Sequence, residues 1–211
     1  MEAMRVSPNQ TSQPTSFKLG SCSTPCGRRG PWAIEEFEVS ETDARIFNMR
    51  ASMRPGARVF SVQPGRYKRL IHDSRGVVMS NTHMEVFTNR QAFAASKGFV
   101  LINGLGMGML LEAILAKPEV NRVRVVELDD DVLKLVGPHF SSDPRVELVH
   151  HDALTYKPPR GEQYDFVWHD IWDTITSDNL PQMKALTRKY RRPRSQAQAC
   201  WSRELIDLVG H

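Results

Sequence analysis

The residues best able to do chemistry are acids that close expected strands. Asp170 and Asp173 come after the expected strand Tyr164–Trp168, in His169-Asp170-Ile171-Trp172-Asp173. Two carboxylates three residues apart at a strand end suit two tasks: holding a cationic group and accepting a proton from an attacking amine. Trp172 between them would wall a pocket and stack on a cation or a ring. Glu127 ends another expected strand, Val123–Val126, and Asp152 comes after a third, Val146–Val149. The three aspartates also have plainer readings. Asp152 suits a turn or helix cap, Asp173 a cap for the segment after it, and Asp170 a loop position.

Glu127 gains meaning from the residues before it. The run Phe99–Ile102 reads as a strand buried on both faces and leads into Asn103-Gly104-Leu105-Gly106-Met107-Gly108. Met109–Ala116 then reads as a helix that Lys117-Pro118 stops. Strand, glycine bend, helix, strand and acid make a βαβ nucleotide-binding unit. Gly104, Gly106 and Gly108 allow a sharp turn and close approach to a ligand. The helix opening favours electron-rich groups. Glu127, roughly 20 residues on, is spaced to accept hydrogen bonds from ribose hydroxyls. A dinucleotide site would read G-x-G-x-x-G and need glycine at 109, which is Met109. The spacing here is G-x-G-x-G, the form seen in S-adenosylmethionine-binding proteins.

The remaining elements frame this unit. Residues 1–31 are rich in Ser, Thr, Pro, Gln and Gly and are expected to form a disordered tail. Residues 32–97 read as a small β-rich region. Its expected strands are Trp32–Val39, Arg58–Val62, Arg66–His72 and Val77–Ser80, with a turn at Asp73–Gly76. Ser40 caps a helix through Arg50, and residues 83–97 form another with Met84, Phe87 and Phe93 on its apolar side. Residues 98–211 form the nucleoside-binding domain. Its tail is read as a helix running towards Tyr190 and a last amphipathic helix over Gln196–Val209.

Composition excludes several classes. No apolar run approaches the ~20 residues of a membrane span, and the first residues lack a signal peptide's apolar segment. A soluble, cytoplasmic protein is expected, with no membrane partner. Three cysteines (Cys22, Cys26 and Cys200) make no disulfide framework, and the adjacent His150 and His151 point to opposite sides, so no metal is expected. The basic cluster Arg188, Lys189, Arg191, Arg192 and Arg194 suits a solvated helix end better than a nucleic-acid surface.

With these residues in view, the stretch from about Arg66 to Asp173 resembles the spermidine synthase (polyamine aminopropyltransferase) group of class I S-adenosylmethionine-dependent methyltransferase-like folds. VLINGLGMG is similar to that group's VLIIGGGDGG, and VRVVELDDDV to its strand and ribose-binding acid, which implies that role for Glu127. HHDAL resembles the adenine-side segment, implying that role for Asp152. Asp170 and Asp173 match its D-x-x-D motif, implying a base and an amine-holding acid. Met107 stands where the group has an acid that grips the amino group of decarboxylated S-adenosylmethionine, and Met79 where it has glutamine. Thr88 and Asn89 stand where it has tyrosine and histidine.

The expected fold is therefore α/β, a Rossmann-like class I methyltransferase sheet with a small N-terminal β-rich region. The tail is too short for the usual last three strands, so the sheet is expected to be abbreviated. The expected activity is alkyl transfer from S-adenosylmethionine, methyl ahead of aminopropyl, the latter using the decarboxylated cofactor. A non-catalytic nucleoside-binding module is the alternative of another class. Gly104, Gly106, Gly108, Glu127 and Asp152 would bind cofactor, and Asp170 and Asp173 would serve catalysis. The expected partner is a small-molecule acceptor, an amine among the candidates, with a homodimer as one arrangement.

Overall fold

The computed structural model describes residues 20–53 and 61–209. Two sheets organise them. The first is antiparallel, in the order β1 (Gly27–Arg29), β2 (Trp32–Val39), β3 (Gly65–His72) and β4 (Gly76–Ser80). Alternation along these strands buries Trp32, Ile34 and Leu70. Helix α1 (Glu41–Ala51) comes after β2, and the Ser40 hydroxyl accepts from the Asp43 amide at 3.1 Å, as its cap position predicts. Most of the strand expected over Arg58–Val62 lies outside the described residues.

The second sheet is parallel throughout, in the order β7 (Val146–His150), β6 (Val120–Glu127), β5 (Gly98–Asn103), β8 (Tyr164–His169) and β9 (Ser195–Cys200). The chain starts at the middle strand, moves outward to one side, then crosses to the other. This is the Rossmann-like winding, with a switch point between β6 and β8 over the end of β5. Val100, Leu101, Val123, Val125 and Val167 are fully buried, because helices cover both faces of such a sheet. The helices are α2 (His83–Ala95), α3 (Met109–Leu115), α4 (Asp130–Val136), α5 (Leu180–Lys189) and α6 (Arg203–Val209). Among the described residues no helix is long and apolar enough to cross a membrane.

Two expectations are corrected. The helix over Gln196–Val209 is instead strand β9, a turn and α6. Tertiary pairing overrides local preference here: β9 lies against β8 from Tyr164↔Ser195 to His169↔Cys200, so the sheet gains one strand beyond the acids. Ser202, at φ 51°, breaks the chain between β9 and α6. The disordered tail does not reach residue 31, because residues 20–31 are built into the fold. Thr24 is fully buried and its hydroxyl donates to the Met107 carbonyl at 2.8 Å, while Lys68 Nζ donates to the Thr24 carbonyl at 2.7 Å. These are polar anchors, which a lack of apolar residues does not reveal.

Candidate active site

One rung of the parallel sheet sets the site. Asn103 of β5 pairs with Val126 of β6 on one side and His169 of β8 on the other. The next residue on each strand is Gly104, Glu127 and Asp170. The Asp170 amide donates to the Asn103 carbonyl at 2.8 Å and the Gly104 amide to the Val126 carbonyl at 2.8 Å, which carries the ladder one step past the strand ends. These residues open onto a cavity of about 290 Å³, lined also by Gly106, Asp152 and Asp173.

Gly104 has φ 101°, and a Cβ there would lie 1.9 Å from the Asp170 carbonyl oxygen, so the bend and the end of β8 touch backbone to backbone. Gly108 is the exception among the sequence-predicted site residues. It does not line the cavity; a Cβ on it would meet the Phe140 ring at 2.5 Å, so this glycine serves packing against α4 and the turn after it.

The Glu127 carboxylate turns into the bend, accepting from the Leu105 amide at 2.7 Å and from the Asp129 amide at 2.9 Å. Burial raises its pKa despite those amides, and nearby Asp129 adds to the rise. Each carboxylate oxygen keeps a further lone pair for another donor. Asp152 lines the cavity but also closes its own turn, accepting from the Leu154 amide at 2.8 Å and the Thr155 hydroxyl at 3.3 Å. Lys189 secures that turn by donating to the Ala153 carbonyl at 2.8 Å, which takes it out of the basic cluster.

Asp170 and Asp173 part company. Burial pushes the Asp170 carboxyl well above its usual range, and the charges of Glu85, Glu127 and Asp173 push it further. Asp173 is half-exposed and ion-paired with Arg75 of the β3–β4 turn at 2.7 Å. Arg75 in turn lies 4.6 Å over the Trp32 ring, and the Trp32 indole donates to Asp129 at 2.7 Å. The antiparallel sheet thus roofs the cavity with an arginine and a tryptophan. Trp172 forms the expected wall, its indole donating to Gln182 at 2.7 Å. His150 and His151 are exposed. Among the described residues no group of three or more His, Cys, Asp and Glu is arranged to hold a metal ion.

Sequence reasoning missed Glu85. The deeply buried side of α2 is Glu85, Thr88, Asn89 and Ala92, not Met84, Phe87 and Phe93. Glu85 and Asn89 line the cavity; burial raises the Glu85 pKa to about 7, and among the described residues Asn89 Oδ1 has no hydrogen-bond partner. The signal was present, since positions 85, 88, 89 and 92 make a stripe at helical spacing. It went unread because the stripe is polar.

No family model matches the chain. The chain is 35% identical over 81 residues to polyamine aminopropyltransferase 2 of Caldanaerobacter subterraneus subsp. tengcongensis, covering 36% of this chain and 27% of that protein. It is 36% identical over 83 residues to putrescine N-methyltransferase 2 of Nicotiana attenuata, covering 36% of this chain and 22% of that protein. A polyamine aminopropyltransferase of Synechococcus sp. is 31% identical over 107 residues, covering 47% of this chain and 34% of that protein. The chain thus spans about a third or less of these relatives. Among solved structures, the 23S rRNA methyltransferase ErmE superposes at TM-score 0.42 and 22% identity, over 54% of this chain and 45% of that one.

Proposed function

We propose that the chain is a transferase that binds S-adenosylmethionine or its decarboxylated form and passes an alkyl group, methyl first, to a small amine. The observation that carries this is the Glu127 carboxylate turned into the bend, with Asp152 and Asp170 on the same cavity. The residues present fit the cofactor: Glu127 retains acceptor capacity for ribose hydroxyls, Asp152 offers an acceptor on the adenine side, and Gly104 and Gly106 let the backbone come close. When bound, the cofactor supplies an electrophilic carbon on a sulfonium.

The chain's own residues do the rest. Asp170, which lines the cavity beside the bend, is placed to take the proton an amine nucleophile releases when its carboxyl is ionised. Asp173 orients the amine from the cavity rim, in competition with Arg75. Trp32, Trp172 and Leu105 exclude water from the reacting centre. Resemblance to an aminopropyltransferase and a putrescine N-methyltransferase supports an amine as acceptor. Calorimetric titration with S-adenosylmethionine tests the reading. Binding in wild type that is lost in Glu127→Ala supports it; no heat in wild type, or equal affinity in both, overturns it.

Aminopropyl transfer is the second reading, and buried Glu85 favours it. A cavity lined by Glu85, Glu127 and Asp170 suits a cation that carries no carboxylate. Thermal shift with both cofactors separates the two: stabilisation by the decarboxylated form alone would put aminopropyl transfer first.

A further inference from the structure

The bend's own amides are largely engaged within the protein. Gly104 donates to the Val126 carbonyl, Leu105 to Glu127, and Gly108 to the Leu105 carbonyl at 3.0 Å. Met107 donates to an unusual acceptor, the thioether sulfur of Met79, at 3.3 Å. Met79 enters from β4 of the antiparallel sheet and lines the cavity. Its sulfur lies so close to the bend that a Cβ on Gly106 would be 2.4 Å from it. The side chain therefore occupies the space against the bend and saturates the amide that points there.

We infer that Met79 is a specificity-determining residue that competes with a ligand's amino-acid portion for the Met107 amide. The inference rests on the nucleoside-binding reading of the same cavity. A ligand seated on Glu127 by its ribose would reach the bend with whatever its 5′ substituent carries. A carboxylate-bearing substituent must displace the thioether to gain the Met107 hydrogen bond, and it does so beside Glu85, Glu127 and Asp170. Ligands without that substituent meet no such competition. Methionine suits this role, because its unbranched chain swings aside easily and its sulfur is a weak acceptor.

The test is titration calorimetry with adenosine and S-adenosylhomocysteine on wild type, Met79→Ala and Met79→Leu. In wild type the homocysteine portion is expected to add no more than about threefold to the affinity of adenosine. In Met79→Ala it is expected to add about tenfold more, the worth of one hydrogen bond regained, with adenosine affinity unchanged. Met79→Leu, which keeps bulk but removes the acceptor, is expected to fall between and guards against a folding defect in the alanine variant. A wild type already gaining tenfold or more from the homocysteine portion overturns the inference, as do variants that leave the two ligands' ratio unchanged. Adenosine binding separates the two levels. If wild type binds neither ligand, the nucleoside reading fails and takes this inference with it; if adenosine binds and the ratio does not move, only the role of Met79 fails.

Discussion

The Leu105 amide donates to the Glu127 carboxylate at 2.7 Å, so the acid that ends β6 braces the bend at the end of β5. Glu127 is thus a structural member as well as a ligand candidate. Replacing it with alanine strands the Leu105 and Asp129 amides. The expected cost is about 2 kcal/mol, a fall in Tm of roughly 4–8 °C by scanning calorimetry. Glu127→Gln keeps an acceptor on the side chain and is expected to lose less than half as much.

Glu85 makes stability depend on pH. Its folded pKa of about 7 stands above the ordinary 4.5, so the folded chain holds a proton that the unfolded chain has released between those values. Stability from this group is therefore full below about pH 4.5 and declines as pH rises to about 7, by an amount on the order of 3 kcal/mol. His169 acts oppositely. Buried and held at about 4 against an ordinary 6.5, it withdraws stability as pH falls through that window. Urea denaturation across pH 4–8 should find Glu85→Gln more stable than wild type at pH 8 and similar to it at pH 4.

Gly104→Ala should be among the most damaging small substitutions. The new methyl would sit 1.9 Å from the Asp170 carbonyl oxygen at a φ of 101°. Strain of about 1–3 kcal/mol adds to a backbone shift that separates the bend from β8. Gly76→Ala is the control: its φ is also positive at 74°, but among the described residues nothing lies within 4 Å of the new Cβ. Its expected cost is about 1 kcal/mol. Equal losses of Tm in the two variants would mean that the close approach at Gly104 costs nothing.

Arg75→Ala separates stability from binding. The Arg75–Asp173 pair is largely exposed, so its loss should change stability by less than about 1 kcal/mol. Freed of its partner, Asp173 should hold a diamine several-fold more tightly at low salt. Raising the ionic strength should erase that gain in a titration with putrescine.

The strands were legible wherever burial on both faces left a mostly apolar stretch, unbroken over Phe99–Ile102 of β5 and interrupted by Arg124 in β6 and Asp165 in β8. Acids at their ends were legible because a charge that closes such a strand stands at the carboxyl edge of the sheet, where the cavity opens. Other features stayed hidden because they depend on partners distant in sequence. Nothing in Ser195–Cys200 announces a strand until β8 is beside it, and nothing around Thr24 announces burial until Met107 offers its carbonyl. Glu85 was obscured by an inward helix face that carries polar groups. The packing of Gly108 against Phe140 stayed hidden because that partner, too, is distant in sequence.

That Gly104, Glu127 and Asp170 all leave from the Asn103 rung has a consequence for how this chain can vary. Their mutual spacing is dictated by the hydrogen-bond ladder and owes nothing to the connections that join the strands. Insertions around Pro158–Gly161, or in the turn after α4, can therefore remodel the periphery while these three keep their alignment. A one-residue slip of β8 against β5 would undo it at a stroke.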